Sequence, residues 1–340
     1  MKGIYLTAPN VFSLQELPEP PVGKNDVLIG IRMTGICGSD VHLLRGRNPF
    51  AAYPLIPGHE YMGEVLRAPK KSGFKKGDKV TGFPEVACGK CSACRAGRLV
   101  HCPEFKFVGS RLPGGCFCER VAVHYSKVFR LPKAMEDEVG AMIEPTAVAV
   151  HAVKKAGVLK GLKTVVIGGG PIGLLTAQVA RAFGSSKVMI SEPIGKRREI
   201  AQILGFPLVC NPQKEDLPSF AKKNLGLVDI VFDIVATQRT VEESIAALRP
   251  GGTLVLVGLP HVEGLGIPYL SIFAKELQVF GTRTYFMEDF PEAIRLLSVK
   301  KVKVKPIISA VSSLENFTES LDLLEKVPEK YLKILITPGR

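Results

Sequence analysis

Hydrophobic positions change period along the chain. In DVLIGIRM (26–33) the apolar Val27, Ile29, Ile31 and Met33 recur at every second residue, the period of a half-buried strand. EYMGEVLR, DKVTGF and ERVAVHY read the same way, and Gly and Pro break the stretches between them, so this part is expected to be a mainly antiparallel β domain. Past residue 145 the pattern alters. TVVIGGGPIG is an apolar strand entering a glycine turn, and LLTAQVARAF behind it carries apolar residues at helical spacing. KVMIS, a helix over 196–204 and FPLVC repeat the alternation, and VDIVFDIVA reads as a buried strand. Thr240 with Glu243 makes a capping box for a helix that stops at Pro250-Gly251-Gly252, and TLVLVGL and LQVFGTR complete the set. Strands alternating with helices predict parallel βαβ units and a doubly wound, six-stranded Rossmann sheet, hence an α/β fold. Near the C-terminus Leu314, Phe317, Leu321 and Leu324 share a helix face, and YLKILITP is a strand.

The chain has 340 residues, of which 46% are hydrophobic and 23% charged, which supports a sizeable core and excludes disordered and fibrous classes. No apolar run reaches the ~18 residues a bilayer span needs, and MKGIYLTAPN lacks an apolar signal segment, so a soluble, cytoplasmic protein is expected. The formal charge is +13, but its densest run, KKVKVKP (300–306), is followed by Glu315, Glu319, Asp322, Glu325 and Glu329. A solvated, partly self-compensating face accounts for it, so neither nucleic acid nor membrane is expected as a partner, while an anionic substrate would still be attracted.

Four of the eight cysteines, Cys88, Cys91, Cys94 and Cys102, lie within CGKCSACRAGRLVHC. Thiolates at these intervals on a turn-rich lobe converge on one tetrahedral zinc, and a site with all positions filled by sulfur is structural. Two local disulfides or a nucleic-acid zinc ribbon are the alternatives; the loop has no interleaved aromatics and few basic residues, Lys90, Arg95 and Arg98.

Gly168, Gly170 and Gly173 form G-x-G-x-x-G between strand and helix, with Pro171 and Ile172 in the first helical turn and Glu192 closing the next strand. This assembly predicts a dinucleotide site, pyrophosphate on the helix N-terminus and ribose hydroxyls on Glu192. A carboxylate there repels a 2′-phosphate, which favours NAD, whereas Lys196, Arg197 and Arg198 would accommodate NADP.

A second constellation is GICGSDVH (35–42) with PGHEYMGEV (57–65). Cys37 and His59 suit zinc, and Asp40, His42, Glu60 and Glu144 surround them with polar groups. On a regular strand His59 and Glu60 face opposite ways, so both reach one metal only where the backbone is irregular.

These two blocks, the clustered cysteines, Glu144-Pro145 at a helix start and GGGPIG resemble, across nearly the whole chain, the zinc-dependent medium-chain dehydrogenase/reductase superfamily. LLRGRNPFAAYPLIPGHE is most similar to idonate-type and starvation-sensing members of its polyol and sugar-acid branch, and Glu144 before Pro is similar to sorbitol and butanediol dehydrogenases, where other alcohol dehydrogenases carry Cys. The resemblance implies a GroES-like catalytic domain over 1–147, a Rossmann domain over 148–287 and a return segment, 288–340, that completes the first. It implies two zincs per chain. Cys37, His59 and a carboxylate, Glu60 or Glu144, would hold the catalytic one, with Asp40 orienting His59 and Ser39 and His42 relaying the substrate proton. It places the nicotinamide amide on the backbone of Val257, Gly258 and Leu259, and Arg283 near the substrate. The activity implied is reversible, NAD-linked oxidation of a secondary alcohol of a polyol or sugar acid. Threonine or butanediol oxidation is a second reading, and a regulatory or binding member without turnover a third. A homo-oligomer, tetramer or dimer, through the edge of the parallel sheet is expected by analogy. Cys116, Cys118 and Cys210 read as core thiols.

Overall fold

The computed structural model describes residues 1–48, 50–260 and 264–339. The strands up to residue 130 are β1 (Lys2–Ala8), β2 (Val11–Glu16), β3 (Asp26–Gly35), β4 (Glu60–Arg67), β5 (Lys79–Gly82), β6 (Glu85–Val86), β7 (Lys106–Phe107), β8 (Arg120–His124) and β9 (Val128–Arg130). Helices α1 (Gly38–Leu44), α2 (Ser92–Arg95), α3 (Asp137–Ala141) and α4 (Ile143–Lys155) interrupt or follow them. Then come β10 (Lys163–Ile167), α5 (Pro171–Ala182), β11 (Lys187–Ser191), α6 (Gly195–Ile203), β12 (Val209–Cys210), α7 (Leu217–Leu225), β13 (Val228–Asp233), α8 (Gln238–Ala247) and β14 (Leu248–Leu256). The remainder is α9 (Tyr269–Lys275), β15 (Gln278–Gly281), α10 (Asp289–Ser298), β16 (Ile308–Ser313), α11 (Phe317–Lys326) and β17 (Lys333–Thr337).

The chain divides into two compact units, one made of Met1–Glu144, Phe286–Ile294 and Ile308–Arg340, the other of Pro145–Tyr285 and Arg295–Ile307. The C-terminal part is therefore not one return segment: Arg295–Ile307 clusters with the parallel sheet. Val302 and Val304 are buried there, and Gln178 and Lys303 exchange hydrogen bonds, the side-chain amide donating to the Lys303 carbonyl (3.1 Å) and accepting from its N–H (2.8 Å).

In the first unit a seven-stranded sheet is ordered β16-β17-β3-β4-β5-β9, with β8 also on β3. Its pairs are antiparallel except β16 with β17. Alternation in β3 drives Val27, Ile29 and Ile31 into a core with Val65, Val80 and Val121, and Cys116 and Cys118 fill this core. Two features of β3 matter for the site: Gly35 pairs with Glu60 on β4, and Thr34 and Gly35 pair with Ile336 and Leu335 on β17.

The second unit holds a parallel six-stranded sheet ordered β12-β11-β10-β13-β14-β15. Order reverses between β10 and β13, the switch point where such sheets open a crevice at the carboxyl ends of the strands. Two expectations change. Helix α8 is capped by Thr237, whose hydroxyl accepts from Thr240 N–H, and Thr240 answers from the third helical position, so the box begins three residues earlier than expected. The helix ends at Ala247, and Pro250-Gly251-Gly252 lies inside β14, whose register against β13 shifts there. No helix among the described residues is long and apolar enough to cross a membrane.

Candidate active site and metal centres

The four-cysteine lobe is organised by its own backbone. Cys91 caps α2, its sulfur accepting from Cys94 N–H at 3.4 Å, and Cys88 N–H donates to Cys102 Sγ at 3.5 Å. N–H donors from Lys90 and Cys91 pull the Cys88 thiol down to about 6, while burial and the neighbouring Cys91 thiol push Cys94 up to about 12. The four sulfurs lie within 4.8 Å of one another, and Cys88 and Cys94 stand 3.8 Å apart, with no disulfide. Sulfurs ~2.3 Å from one tetrahedral zinc are ~3.8 Å from each other, so the donor set fits a closed zinc site.

The second cluster needs the whole sheet. Strand β3 delivers Cys37 to the N-terminus of α1, and pairing of Gly35 with Glu60 sets Cys37 beside the start of β4. His59 precedes that strand and Gly58 before it has φ +96°, the irregularity that lets consecutive His59 and Glu60 face one point. Ligand atoms of Cys37, His59 and Glu60 lie within 4.8 Å of one another. A soft thiolate, an imidazole and a carboxylate suit zinc with a fourth position open, the arrangement of catalytic sites.

Asp40 is buried and accepts from Cys37 N–H at 3.0 Å through Oδ2, with Oδ1 3.3 Å from His59 Nδ1. That contact leaves the other ring nitrogen available to a metal, and Phe107 packs edge-on against the ring at 5.1 Å. Burial alone lowers the His59 pKa, yet the charges of Asp40 and Cys37 outweigh it and hold the imidazole well above its ordinary value. Ser39 is exposed and His42 half-buried on α1, three residues apart and so on one face. Glu144 is buried in the first turn of α4 and is not among the ligand atoms grouped with Cys37, His59 and Glu60.

A residue that sequence reasoning passed over completes this cluster. Lys333, at the start of β17, is buried and donates through Nζ to Glu60 Oε2 and to the Ile36 carbonyl at 2.9 Å. The signal was a lone lysine in the apolar run YLKILITP.

In the second unit Gly168 leaves β10 with φ +101°, and a β-carbon on Gly173 would overlap the Gly168 carbonyl, so helix and strand approach only with glycine there. Pro171 is at the first position of α5. Glu192 is buried at the end of β11, its two oxygens accepting from Gly169 N–H (2.7 Å) and Ile194 N–H (2.8 Å). Each oxygen keeps a further lone pair for a ribose hydroxyl. Of the basic trio, Arg198 donates to the carbonyls of Glu192 and Pro193, Lys196 pairs with Glu199, and Arg197 Nη1 stands 3.9 Å from Glu192 Oε2. Gly168, Gly170, Glu192, Arg197, Val235 and Arg239 border a cavity of about 550 Å³. Past β14, Val257 and Gly258 donate to the Asp233 carbonyl (2.8 and 3.1 Å), and Leu259 is exposed. Arg283 is exposed just beyond β15.

Residues 23–133 match the model of the alcohol dehydrogenase GroES-like domain and residues 171–299 that of the zinc-binding dehydrogenase domain. The chain is 34% identical to the L-galactonate-5-dehydrogenase of Escherichia coli, over 86% of this chain and 85% of that one. It is 29% identical to the sorbitol dehydrogenase of Bacillus subtilis, over 100% and 98%. Among solved structures, a zinc-binding dehydrogenase from Sinorhizobium meliloti bound to NADP superimposes with a TM-score of 0.91 at 29% identity, covering 99% of each chain.

Proposed function

From the premise that this chain belongs to the zinc-binding alcohol dehydrogenase family with a GroES-like domain, we propose that it oxidises a secondary alcohol of a polyol or sugar acid to the ketone, reversibly and with NAD. The observation that carries the reading is the convergence of Cys37, His59 and Glu60, a three-donor set with room for one more ligand. Similarity to galactonate and sorbitol dehydrogenases supports the substrate class.

Cys37, His59 and Glu60 would hold a zinc whose contribution, when bound, is to polarise and acidify the alcohol oxygen. Asp40 orients His59 through Nδ1 and compensates its charge. Ser39 takes the alcohol proton and His42, one helical turn away, passes it to solvent. Gly168, Gly170, Pro171, Ile172 and Gly173 present backbone to the pyrophosphate, and Val257, Gly258 and Leu259 offer backbone groups to the carboxamide. Glu192 selects NAD because a buried carboxylate opposes a 2′-phosphate, with Arg197 offsetting part of that charge. Cys88, Cys91, Cys94 and Cys102 hold the second, structural zinc. Arg283 meets a substrate hydroxyl or carboxylate. The partner is a second copy of the chain: Tyr269, Leu270 and Phe273 on α9 are more than 70% exposed beside the open edge of β15.

The test is turnover of galactonate-, idonate- and gluconate-type acids, sorbitol, butanediol and threonine, with NAD and NADP in parallel. The zinc-replete protein, Cys37→Ala and Glu192→Ser are compared. Turnover on a sugar acid or polyol, lost in Cys37→Ala and shifted about tenfold toward NADP in Glu192→Ser, is the expected result. Turnover confined to threonine or butanediol, or indifferent to Cys37, would refute it.

A further inference from the structure

The Lys333–Glu60 pair has a geometry that a mere sheet tie does not require. Both side chains are at most 3% exposed, and Lys333 Nζ spends donors on Glu60 Oε2 and on the carbonyl of Ile36, the residue before Cys37. The other Glu60 oxygen, Oε1, is buried without a hydrogen-bond partner. A β-carbon on Gly35 would overlap Glu60 Oε2 and come within 3.0 Å of Lys333 Cε, so the glycine of β3 clears the space in which the pair sits. The carboxylate is thus divided, one oxygen held by a cation and one without a hydrogen-bond partner, in a side chain that brings a ligand oxygen within 4.8 Å of the Cys37 and His59 ligand atoms.

We propose that Lys333 is a positioning residue that keeps the second oxygen of Glu60 off the metal, so that Glu60 ligates through Oε1 alone and one coordination position stays open for the alcohol. This rests on the reading of Cys37, His59 and Glu60 as the zinc ligands. A carboxylate with both oxygens free can bind a divalent cation through one or both, and a bidentate Glu60 with Cys37 and His59 would fill all four positions. Lys333 also brings a buried positive charge beside half-buried Cys37 and buried Glu60 and Glu144, whose charges all act on it. Removing it leaves Glu60 a buried anion with the metal as its remaining counter-charge, which drives the second oxygen inward.

The experiment uses full-length protein loaded with Co²⁺: wild type, Lys333→Met, Lys333→Arg and the double variant Lys333→Met/Glu60→Gln. Metal content, kcat, KM and visible d–d absorption are measured, and the spectrum of Cys37→Ala, which keeps the four-cysteine site, is subtracted. Lys333→Met is expected to keep two metals per chain, lose about threefold in d–d intensity as the second Glu60 oxygen enters the coordination sphere, and lose about tenfold in kcat. Lys333→Arg restores intensity and turnover. The double variant, which leaves no unpaired buried charge and so tests the idea even if the single variant does not fold, offers the metal a single amide oxygen and does not show the threefold loss of intensity. An unchanged spectrum in Lys333→Met, with or without loss of turnover, would show that the lysine only ties the sheet together, and a weakened band in the double variant would equally overturn the proposal. If Cys37→Ala loses no metal relative to wild type, the ligand reading itself fails, and with it this inference.

Discussion

The two metal-capable clusters of the first unit are built in opposite ways. Cys88, Cys91, Cys94 and Cys102 lie in one short loop whose hydrophobic support is a small satellite group, Val100, Cys102 and Phe105 with a few half-buried neighbours. Cys37 follows β3, His59 precedes β4 and Glu60 opens β4, and the last is held by a third strand through Lys333, beside a continuous core. In the loop a bound metal would supply what the chain lacks in packing, making binding and folding one event. In the sheet the fold exists first and the donors arrive already oriented, which is what leaves a position open. On the proposed reading one site serves stability and the other chemistry because of how much of each is made without the ion.

The sharpest way to break that comparison is to remove one thiolate from each. Cys94→Ser should release one metal per chain and lower Tm by about 10 °C, since metal binding carries most of the stability of such lobes. Cys37→Ala should also release one metal, but lower Tm by less than about 3 °C while reducing turnover about 10³-fold. Calorimetry with metal analysis checks both, and equal melting shifts would mean that the sheet site too depends on its ion for folding.

A smaller effect separates the clusters by pH in metal-free protein. Burial opposes the charged imidazole, yet Asp40 and Cys37 raise the pKa of His59 well above 6.5. Its stabilisation is therefore fully present below pH ~6.5 and lost as pH rises through the folded value, at up to about 1.4 kcal/mol per pH unit. Cys88 behaves oppositely: backbone donors from Lys90 and Cys91 lower it to about 6, so its contribution is present above the unfolded thiol value and lost as pH falls toward about 6. Denaturation midpoints against pH should lose their alkaline decline in Asp40→Asn and their acid decline in Cys88→Ser, each variant leaving the other limb intact.

How much was legible in the sequence follows from how local each feature is. The parallel sheet was, because strand and helix periods alternate over a hundred residues and Gly168 to Gly173 sit where strand turns into helix. The cysteine lobe was, because its four sulfurs share one loop. Helix α8 was misplaced because Thr237 and Thr240 both satisfy capping chemistry, and only backbone geometry selects between them. Arg295–Ile307 was assigned to the wrong unit because its attachment runs through Gln178, 125 residues away. Lys333 was missed for the same reason: its partner is 273 residues earlier, and only sheet register brings them together. Sequence also left Glu60 and Glu144 equivalent as ligands, whereas strand pairing puts Glu60 with Cys37 and His59.

Phe107 is where the two clusters meet, and it carries the finest test. Its ring stands 5.1 Å from that of His59 and 6.4 Å from that of Phe105, and it packs on the satellite group around the cysteines. An edge-on aromatic contact contributes roughly 0.5–1.5 kcal/mol beyond buried area. This ring is a route by which the lobe can support the sheet site, because loss of the lobe's metal would free Phe107 and loosen His59. Phe107→Leu keeps most of the apolar volume but removes the directed contact, so alone it should lower turnover only a few-fold. In a double-mutant cycle with Cys94→Ser the two should couple by about 0.5–1 kcal/mol in kcat/KM, because the second change removes support already lost in the first. Additive effects would mean that the loop and the sheet are energetically independent, and that the lobe's contribution to chemistry is confined to keeping the chain folded.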